Sequence, residues 1–217
     1  MKIIAVGKNY ADHALEFDGT VERPSVPMIF MKPDSAILKN GKPFFLPDFL
    51  GRVEYEAEIV VRISNLGKNI PTRFAHRYYD AVTVGIDFTA REWQRRMIAE
   101  GAPWELSKGF DGAATLGDFI PTEGLDVCNL PFRLDIDGKT VQSSNSNRML
   151  FSIDEIINYV SKYCTLRTGD LIFTGTPAGV GAVAIDNHFQ GFLQDKPGCV
   201  RDPRASSRVE TGVSGTS

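Results

Sequence analysis

Residues 53–61, with the sequence VEYEAEIVV, combine an apolar face with a row of glutamates. Side chains alternate between the two faces of a β-strand, so a strand here places Glu54, Glu56 and Glu58 on one side and apolar residues on the other. Neighbours on one face are about 6–7 Å apart, and buried carboxylates at that spacing repel each other or bind protons. The segment therefore predicts either an exposed edge strand, where charge prevents edge-to-edge association, or a site that holds a cation.

The length and charge of the chain limit the number of its domains and the kinds of partner it can bind. With 217 residues and a mass of 23.9 kDa it has the size of one large globular domain. The net charge is −3, the sequence pI is about 5.7, and no run of Lys or Arg exceeds two residues. Because a basic surface is absent, neither nucleic acid nor an anionic membrane is predicted as a partner.

The cysteines indicate a reducing compartment. Cys128, Cys164 and Cys199 are odd in number and far apart, and no C-x-x-C motif is present, which argues against a disulfide framework and a zinc site. The N-terminal apolar run is too short for a signal peptide, and no segment approaches the roughly 18 apolar residues of a membrane span. We therefore expect a cytoplasmic protein.

Helices are predicted at four places by apolar spacing and capping residues. The first covers residues 9–17 with Asn9 as its N-cap, and the second covers residues 72–82. A third, over residues 91–100, ends at Gly101, which is typical of a helix C-cap. The fourth begins with a capping box from Ser152 to Glu155.

Short strands fill most of the rest of the chain. The first third is β-rich, with two runs separated by an Asn40-Gly41 turn, and Asp137-Gly138 predicts a second turn between alternating runs. An apolar strand over residues 82–90 contains the sequence GIDF. We expect one domain over residues 1–196, and a disordered tail over residues 197–217, where Pro, Gly, Ser, Thr and Arg dominate without apolar periodicity.

Asp87 is a third candidate ligand for a cation held by the acidic strand. It lies at the end of an apolar strand and just before a predicted helix. Together with Glu56 and Glu58 it makes an all-oxygen, anionic donor set, which suits Mg²⁺ or Mn²⁺ rather than zinc. Taken alone, Asp87 is equally well interpreted as an N-cap for the helix that begins at Arg91.

His13 and Glu16, in the sequence DHALE, share one face of the first predicted helix. A carboxylate beside an imidazole orients it and raises its basicity, so the pair can act as a general base toward water. As an isolated feature the pair is more simply interpreted as an exposed i,i+3 interaction.

Four further side chains are candidates for substrate contacts. Lys108 lies in a glycine-containing loop, Arg91 and Gln94 are i,i+3 on a helix, and Thr176 follows the glycine of the sequence TGTP. Arg91 can bind a carboxylate through two donors, and Lys108 can supply a point charge to a developing oxyanion. Surface solvation is the default for any single Lys or Arg. TGTPAGVG lacks the G-K-[ST] ending of a phosphate-binding loop, but the Thr176 hydroxyl on this glycine-rich turn can still bind a small carboxylate.

In their order and spacing, these motifs resemble those of the fumarylacetoacetate hydrolase family. The segments that carry the resemblance span roughly residues 4–195: GKNYADHALE, VEYEAEIVV, GIDFTAREWQ, PWELSKGFD, DGKTVQSSN, SIDEIINYVS and RTGDLIFTGTPAGVGAV. The resemblance implies an α+β, β-rich fold, a mixed sandwich or roll of sheets with a few flanking helices, and assembly as a homodimer. The family ordinarily ends with a further strand after the segment GFL, which the tail of this chain does not resemble.

The resemblance also implies roles for the candidate residues. Glu56, Glu58 and Asp87 match the ligands of a divalent ion, normally Mg²⁺, while Glu54 lies beside them. His13 and Glu16 match a dyad on a short helix that closes over the substrate, in the branch that includes acylpyruvate hydrolases and oxaloacetate decarboxylases. Lys108 matches the lysine that contacts substrate, and Thr176 the threonine of the TGTP loop.

The expected activity is cleavage of a carbon–carbon bond in a small 2-oxo acid or 1,3-dicarbonyl acid. The ion stabilises the enolate that forms, while His13 with Glu16 activates water for acylpyruvate hydrolysis; oxaloacetate loses CO₂ without that water. One alternative is a dienedioate isomerase or decarboxylase of aromatic catabolism. Another is a protein without catalytic activity in which the carboxylates hold a structural cation.

Overall fold

The computed structural model describes residues 1–13, 23–38, 43–194 and 208–214. Within these residues strands predominate, and two α-helices longer than two turns flank them: α1 (Arg91–Glu100) and α2 (Ile153–Tyr163). The strands are β1 (Ile3–Gly7), β2 (Met28–Lys32), β3 (Ile37–Leu38), β4 (Phe44–Phe45), β5 (Val53–Tyr55), β6 (Ala57–Ile63), β7 (Tyr79–Asp87), β8 (Thr89–Ala90), β9 (Ala114–Leu116), β10 (Ile120–Pro121), β11 (Pro131–Ile136), β12 (Lys139–Asn145), β13 (Leu171–Phe173), β14 (Gly181–Ala182), β15 (His188–Leu193) and β16 (Arg208–Ser214). The predicted β-rich α+β fold is confirmed.

The described strands form three sheets. The largest has eight strands in the order β2-β1-β13-β6-β7-β9-β3, with β10 paired to β7. A five-stranded sheet runs β12-β11-β15-β16-β4, and a three-stranded sheet runs β14-β5-β8. The acidic segment changes sheet at Glu56, because β5 belongs to the smallest sheet and β6 to the largest.

The main core lies between the largest sheet and the five-stranded sheet, with α2 against it. It contains Ile59 and Val61 of β6, Leu134 of β11 and Ile156 of α2, all buried completely. Burial of an aliphatic side chain of this size contributes about 1.5–3 kcal/mol. A smaller apolar cluster includes Phe30, Val60 and Phe173. Val60 alternates with Ile59 and Val61, so this cluster covers the opposite face of the largest sheet.

Local sequence signals explain both helices and one hairpin. Helix α1 ends at Gly101, which has φ +65° and takes the left-handed conformation that favours glycine. Helix α2 begins with the complete capping box between Ser152 and Glu155. Asp137 and Gly138, with φ +52° and +77°, form the two-residue turn between β11 and β12. These three predictions are confirmed.

One local prediction is wrong. Residues 72–82 are not one α-helix: Thr72–Arg77 form a 3-10 helix, and β7 begins at Tyr79. The reason is that β7 is buried among neighbouring strands on both faces. Its apolar residues therefore follow neither the two-residue period of a half-exposed strand nor the 3.6-residue period of a helix, and the sequence pattern does not distinguish the two. The strands on either side of the predicted Asn40-Gly41 turn do not pair with each other, because β3 pairs with β9 and β4 with β16. That turn itself lies outside the described residues.

The C-terminal segment also differs from expectation. Arg208–Ser214 form β16, which pairs antiparallel with β15 and parallel with β4. The prediction of disorder is therefore wrong for these seven residues. Their backbone forms hydrogen bonds with the edge strand β15, and amino-acid composition gives no information about such bonds. The other residues of the tail lie outside the described part of the chain. In the described residues, no helix is long and apolar enough to cross a membrane.

Candidate active site

The sheet change at Glu56 brings the predicted cation ligands together. Strand β7 pairs antiparallel with β6, with Ala57 opposite Ile86, so Asp87 at the end of β7 arrives beside Glu56. The Asp87 amide donates to the Glu56 carbonyl at 2.8 Å. One carboxylate oxygen from each of Glu56, Glu58 and Asp87 lies within 4.8 Å of the others, and all three residues are buried.

This spacing is close to that of ligands around one ion. Oxygens bound about 2.1 Å from Mg²⁺ are at most about 4.2 Å apart, so small side-chain movements bring these carboxylates onto a shared ion. The alternative of Asp87 as a helix N-cap does not apply, because Ala90 occupies the N-cap of α1 without any side-chain cap. The alternative of an exposed edge strand does not apply either, since Glu54, Glu56 and Glu58 are all buried.

Two buried lysines contact the carboxylates. Lys108 Nζ lies 2.7 Å from Glu56 Oε2 and 2.9 Å from Asp87 Oδ2, and Lys32 Nζ lies 2.6 Å from Asp87 Oδ1. Burial lowers the pKa of Lys108, but Asp87 and Glu56 outweigh it and leave the pKa above its ordinary value. Burial prevails at Lys32, whose pKa is lowered although Asp87 opposes the shift. Lys32 also donates to the carbonyls of Lys108 and Ala113, so it holds the loop that carries Lys108.

Arg91 holds the other end of the acidic row. Its Nε donates to Glu54 Oε2 at 2.6 Å, its Nη2 donates to Glu56 Oε1, and its Nη1 donates to Gln94 Oε1 at 2.6 Å. Arg52 also pairs with Glu54 at 2.9 Å. Glu54 is therefore bound by arginines and lies beside the three-carboxylate cluster, as the resemblance implied.

Glu58 differs from its neighbours in what compensates its charge. It accepts a hydrogen bond from the Gly175 amide at 2.6 Å, and among the described residues no basic side chain lies within ion-pair distance of it. Burial, together with the charges of Asp87 and Glu56, raises the pKa of Glu58 well above its usual range. At Glu56, burial is outweighed by Lys108 and Arg91, which hold the pKa well below its usual range. A bound cation supplies the positive charge that Glu58 lacks, so the residues present fit a divalent ion.

A cavity of about 270 Å³ opens onto the cluster. Its polar wall includes the three carboxylates, while its apolar wall includes Val6, Met28, Phe30 and Trp104. All the remaining candidate residues within the described ranges line it as well: His13, Arg91, Gln94, Lys108 and Thr176. The volume suits a small organic acid.

The N-terminal segment brings His13 to this cavity. His13 is 8% exposed, lies in a helical turn over residues 11–13, and contributes to lowering the pKa of Glu56. Asn9 does not use its side chain as the predicted N-cap: its Nδ2 donates to the carbonyls of Phe151 and Thr174, and its Oδ1 accepts from the Phe151 amide. Asn9 thus anchors this segment beside the cavity. Glu16 lies outside the described residues, so the dyad stays a prediction.

Thr176 lines the cavity with its hydroxyl already in use. Its Oγ1 donates to the Ala57 carbonyl at 2.9 Å and accepts from Gln142 Nε2 at 2.9 Å. The hydroxyl proton therefore points away from any substrate in this arrangement. Its role in binding a substrate carboxylate stays a proposal.

Sequence reasoning missed two basic residues of the site. Lys32 is one lysine in the strand MIFMK, and only the pairing of β2 with β1 places it near Asp87. Lys8 lines the cavity with φ +57°, a left-handed conformation that is uncommon for residues other than glycine. Lys8 follows the motif glycine Gly7, which is the signal that draws attention to it.

Comparison with known proteins identifies the family. The model of the fumarylacetoacetate (FAA) hydrolase C-terminal family matches residues 2–215. The chain belongs to the fumarylacetoacetate hydrolase family. The resemblance seen in the motifs is confirmed, and with it the expectation of an enzyme, because members of this family are named for enzymatic activities.

Individual relatives carry more specific names. The chain is 38% identical over 184 residues to the mitochondrial oxaloacetate decarboxylase of Dictyostelium discoideum, covering 84% of each chain. It is 39% identical over 192 residues to the mitochondrial oxaloacetate tautomerase of Rattus norvegicus, covering 88% of this chain and 86% of the relative. Among solved structures it is similar to fumarylpyruvate hydrolase from Pseudomonas aeruginosa in complex with Mn²⁺ and pyruvate. That likeness has a TM-score of 0.87 and 32% identity, and it covers 100% of this chain and 90% of the other.

Proposed function

We propose that Glu56, Glu58 and Asp87 bind one divalent cation, Mg²⁺ or Mn²⁺, and that the adjoining cavity processes a small 2-oxo acid. The observation that carries this proposal is the buried three-carboxylate cluster, in which Glu58 has no basic partner among the described residues. The similar fumarylpyruvate hydrolase was solved as a complex with Mn²⁺ and pyruvate, which supports both the kind of ion and the kind of ligand.

The reaction we propose is cleavage of a carbon–carbon bond, either hydrolysis of an acylpyruvate or decarboxylation of oxaloacetate. A divalent cation bound to the carboxylates supplies Lewis-acid stabilisation of negative charge on the 2-oxo oxygen. The ammonium group of Lys108 reaches the same cavity between Glu56 and Asp87, where its positive charge stabilises a developing oxyanion. Gln94 and Arg91, on the first turn of α1, bind and orient the acid at the cavity wall.

His13 is the proposed general base. For acylpyruvate hydrolysis it accepts a proton from the water that attacks the distal carbonyl, with Glu16 orienting the imidazole. For oxaloacetate no water is consumed, so His13 is less important for CO₂ loss. Its position in the cavity, on a segment anchored by Asn9, supports this assignment.

Keto–enol tautomerisation of oxaloacetate is a second candidate. It is favoured by the rat relative, which is named a tautomerase and is 39% identical to this chain. Tautomerisation moves a proton between C3 and the 2-oxo oxygen without breaking a carbon–carbon bond, and His13 is the cavity residue suited to that transfer. Isomerisation or decarboxylation of a dienedioate is a further chemistry of the same kind of site.

Assembly and location are part of the proposal. We infer a homodimer in the cytoplasm, on the basis of the family resemblance and the composition. The Dictyostelium discoideum and rat relatives are both named as mitochondrial proteins.

One assay tests the function. Purified protein with Mg²⁺ or Mn²⁺ is given acetylpyruvate and oxaloacetate, and pyruvate, CO₂ and the enol absorbance of oxaloacetate are followed separately. Acetate plus pyruvate indicates hydrolysis, CO₂ plus pyruvate indicates decarboxylation, and enol conversion alone indicates tautomerisation. EDTA abolishes all three activities if the proposal is right.

A non-catalytic cation-binding protein gives a different pattern. In that case the cation raises the melting temperature, but no 2-oxo acid raises it further, because only a ligand that binds the folded form stabilises it. Absence of turnover together with absence of a 2-oxo acid shift would sink the enzymatic proposal.

A further inference from the structure

Gln142 links two sheets at the edge of the candidate active site. It lies on β12, in the five-stranded sheet, whereas Glu56 lies between β5 and β6, Glu58 on β6 and Asp87 on β7. Its side chain is 2% exposed and directed away from solvent. The segment DGKTVQSSN contributes to the family resemblance, but the proposed chemistry gives it no task.

Every polar group of the Gln142 side chain has a partner near the carboxylates. Its Oε1 accepts from the Ala57 amide at 2.9 Å, and its Nε2 donates to Thr176 Oγ1 and to the Pro177 carbonyl, both at 2.9 Å. Both amide protons and the amide oxygen are thus used inside the protein. An amide turned the other way would bring its NH₂ against the Ala57 N–H, so these partners fix its orientation.

The first of these bonds acts on the residue between two ligands. Ala57 separates Glu56 from Glu58 and lies where the chain leaves one sheet for another. Its amide is held by Gln142 and its carbonyl by the Thr176 hydroxyl. Since Gln142 also donates to Thr176, one side chain determines both hydrogen bonds of this residue. The relative orientation of the Glu56 and Glu58 side chains therefore depends on the hydrogen bonds that Gln142 makes.

The other two bonds act on the loop that contacts Glu58. Residues 174–177 are held at one end by Thr174, which donates to the Ile59 carbonyl at 2.8 Å, and at the other end by Gln142. Between these ends, Gly175 directs its amide at Glu58 Oε2 at 2.6 Å with φ +97°. A Cβ at Gly175 would meet Asn9 Cβ at 2.7 Å, so the loop has little freedom to shift.

We propose that Gln142 is a positioning residue that sets the spacing and orientation of Glu56 and Glu58 for cation binding. It does so through Ala57 and through the loop over residues 174–177, without touching the cation. This inference rests on the cation site proposed above. Partners that orient metal ligands typically change metal affinity by about 10- to 100-fold when they are removed.

The test compares two substitutions of an amide by an apolar side chain of similar shape. Gln142→Met removes the three bonds at the site. Asn158→Leu is the matched control, because Asn158 on α2 donates to the Ile70 carbonyl at 2.7 Å and does not line the cavity. For both variants and the wild type, the Kd for Mn²⁺ is measured by calorimetry and the melting temperature without cation by scanning calorimetry.

We expect the Kd for Mn²⁺ to rise about tenfold or more in Gln142→Met and to stay at the wild-type value in Asn158→Leu, although both variants melt at lower temperature. A wild-type Kd in Gln142→Met, or an equal increase in the control, overturns the positioning role. If the wild type itself binds no Mn²⁺, the proposed cation site is wrong, and the positioning role is wrong with it. If the wild type binds Mn²⁺ and Gln142→Met binds it equally well, only the positioning role is wrong.

Gln142→Asn is a second variant, to be used if Gln142→Met does not fold. Gln142→Asn keeps the amide but withdraws it by one methylene, so it cannot reach Ala57, Thr176 and Pro177 together. The same rise in Kd relative to the control is expected. A folded Gln142→Asn with wild-type Mn²⁺ affinity contradicts the proposal.

Discussion

Two buried carboxylates in this protein, Asp170 and Glu58, have opposite electrostatic environments. Asp170 precedes β13, and it accepts from the Lys2 amide at 2.7 Å and the Arg167 amide at 2.8 Å and pairs with Lys2 Nζ at 2.5 Å. Burial raises its pKa, but these hydrogen bonds outweigh burial and leave the pKa below its ordinary value. Glu58 has a similarly small exposed surface but lies deeper in the protein, and there burial, together with the charges of Asp87 and Glu56, raises the pKa of Glu58.

The difference separates a structural acid from one prepared for a ligand. Charge at Asp170 is compensated within the protein, so the carboxylate contributes to stability as it stands. In the described part of the chain, Glu58 accepts one backbone hydrogen bond and has two neighbouring carboxylates, and the more distant charge of Lys108 only partly opposes the rise in its pKa. In the proposed function, a bound cation would complete the compensation of its charge. Burial of an acid is therefore no sign of a site, whereas incomplete compensation is.

Substitution of Glu58 gives the largest expected effect. Glu58→Gln should reduce turnover of acetylpyruvate or oxaloacetate by at least about 100-fold, since Lewis-acid stabilisation supplies several kcal/mol and each 1.4 kcal/mol is about tenfold in rate. Without cation, the variant should melt at a higher temperature than the wild type at neutral pH, because burial and two acidic neighbours disfavour the ionised form of Glu58, whereas glutamine is neutral. Steady-state kinetics and scanning calorimetry measure the two effects. Unchanged turnover removes Glu58 from the site.

The second prediction concerns His13, the proposed general base in the same cavity. His13→Ala should lower hydrolysis of acetylpyruvate by about 10²- to 10⁴-fold, the usual contribution of a positioned base, and should affect decarboxylation of oxaloacetate less. Both rates are measured with saturating Mg²⁺. Equal losses for the two substrates contradict a role in activating water.

Removal of the compensated acid should affect stability and leave the cation site alone. Asp170→Asn leaves buried donors without their charged partner, which costs about 1–3 kcal/mol of unfolding free energy, while the Kd for Mn²⁺ stays at the wild-type value. Urea unfolding and calorimetry test this. Asp80→Asn is the control, because the Arg62–Asp80 pair is exposed and exposed pairs contribute at most about 1 kcal/mol. A change in Mn²⁺ affinity in Asp170→Asn breaks the distinction between the two acids.

The smallest expected effect is a pH dependence. Because the pKa of Asp170 is lowered on folding, the folded protein binds fewer protons there than the unfolded chain does. Its stabilisation is present above the unfolded pKa of about 3.9 and is lost as the pH falls through the folded value. Unfolding free energies measured from about pH 6 down to about pH 3 should thus converge for wild type and Asp170→Asn at the acid end. If the difference in unfolding free energy between wild type and Asp170→Asn stays constant with pH, a lowered pKa of Asp170 in the folded protein is contradicted.

Local signals were sufficient for several elements. The capping box at Ser152, the left-handed Gly101 and the Asp137-Gly138 turn each depend on neighbours in the sequence, and each was predicted. Strand β16 and the start of β7 were not predicted, because their structure depends on strands far away in the sequence. Composition and periodicity report only what a segment prefers by itself.

The candidate site divides in the same way. Glu56, Glu58 and Asp87 were predicted because residue type, alternation and motif order agree, and the structure brings them together. Lys32 and Gln142 were missed because their importance comes only from distant partners: the Lys108 carbonyl for one and the Ala57 amide for the other. Thr176 was predicted, but the direction of its hydroxyl follows from Gln142.

An anomalous difference map from crystals soaked in Mn²⁺ tests the central claim most directly. The account predicts one strong peak per chain, within coordination distance of carboxylate oxygens of Glu56, Glu58 and Asp87. A peak bound by other residues, or none at a concentration that saturates Mn²⁺ binding in solution, would contradict it.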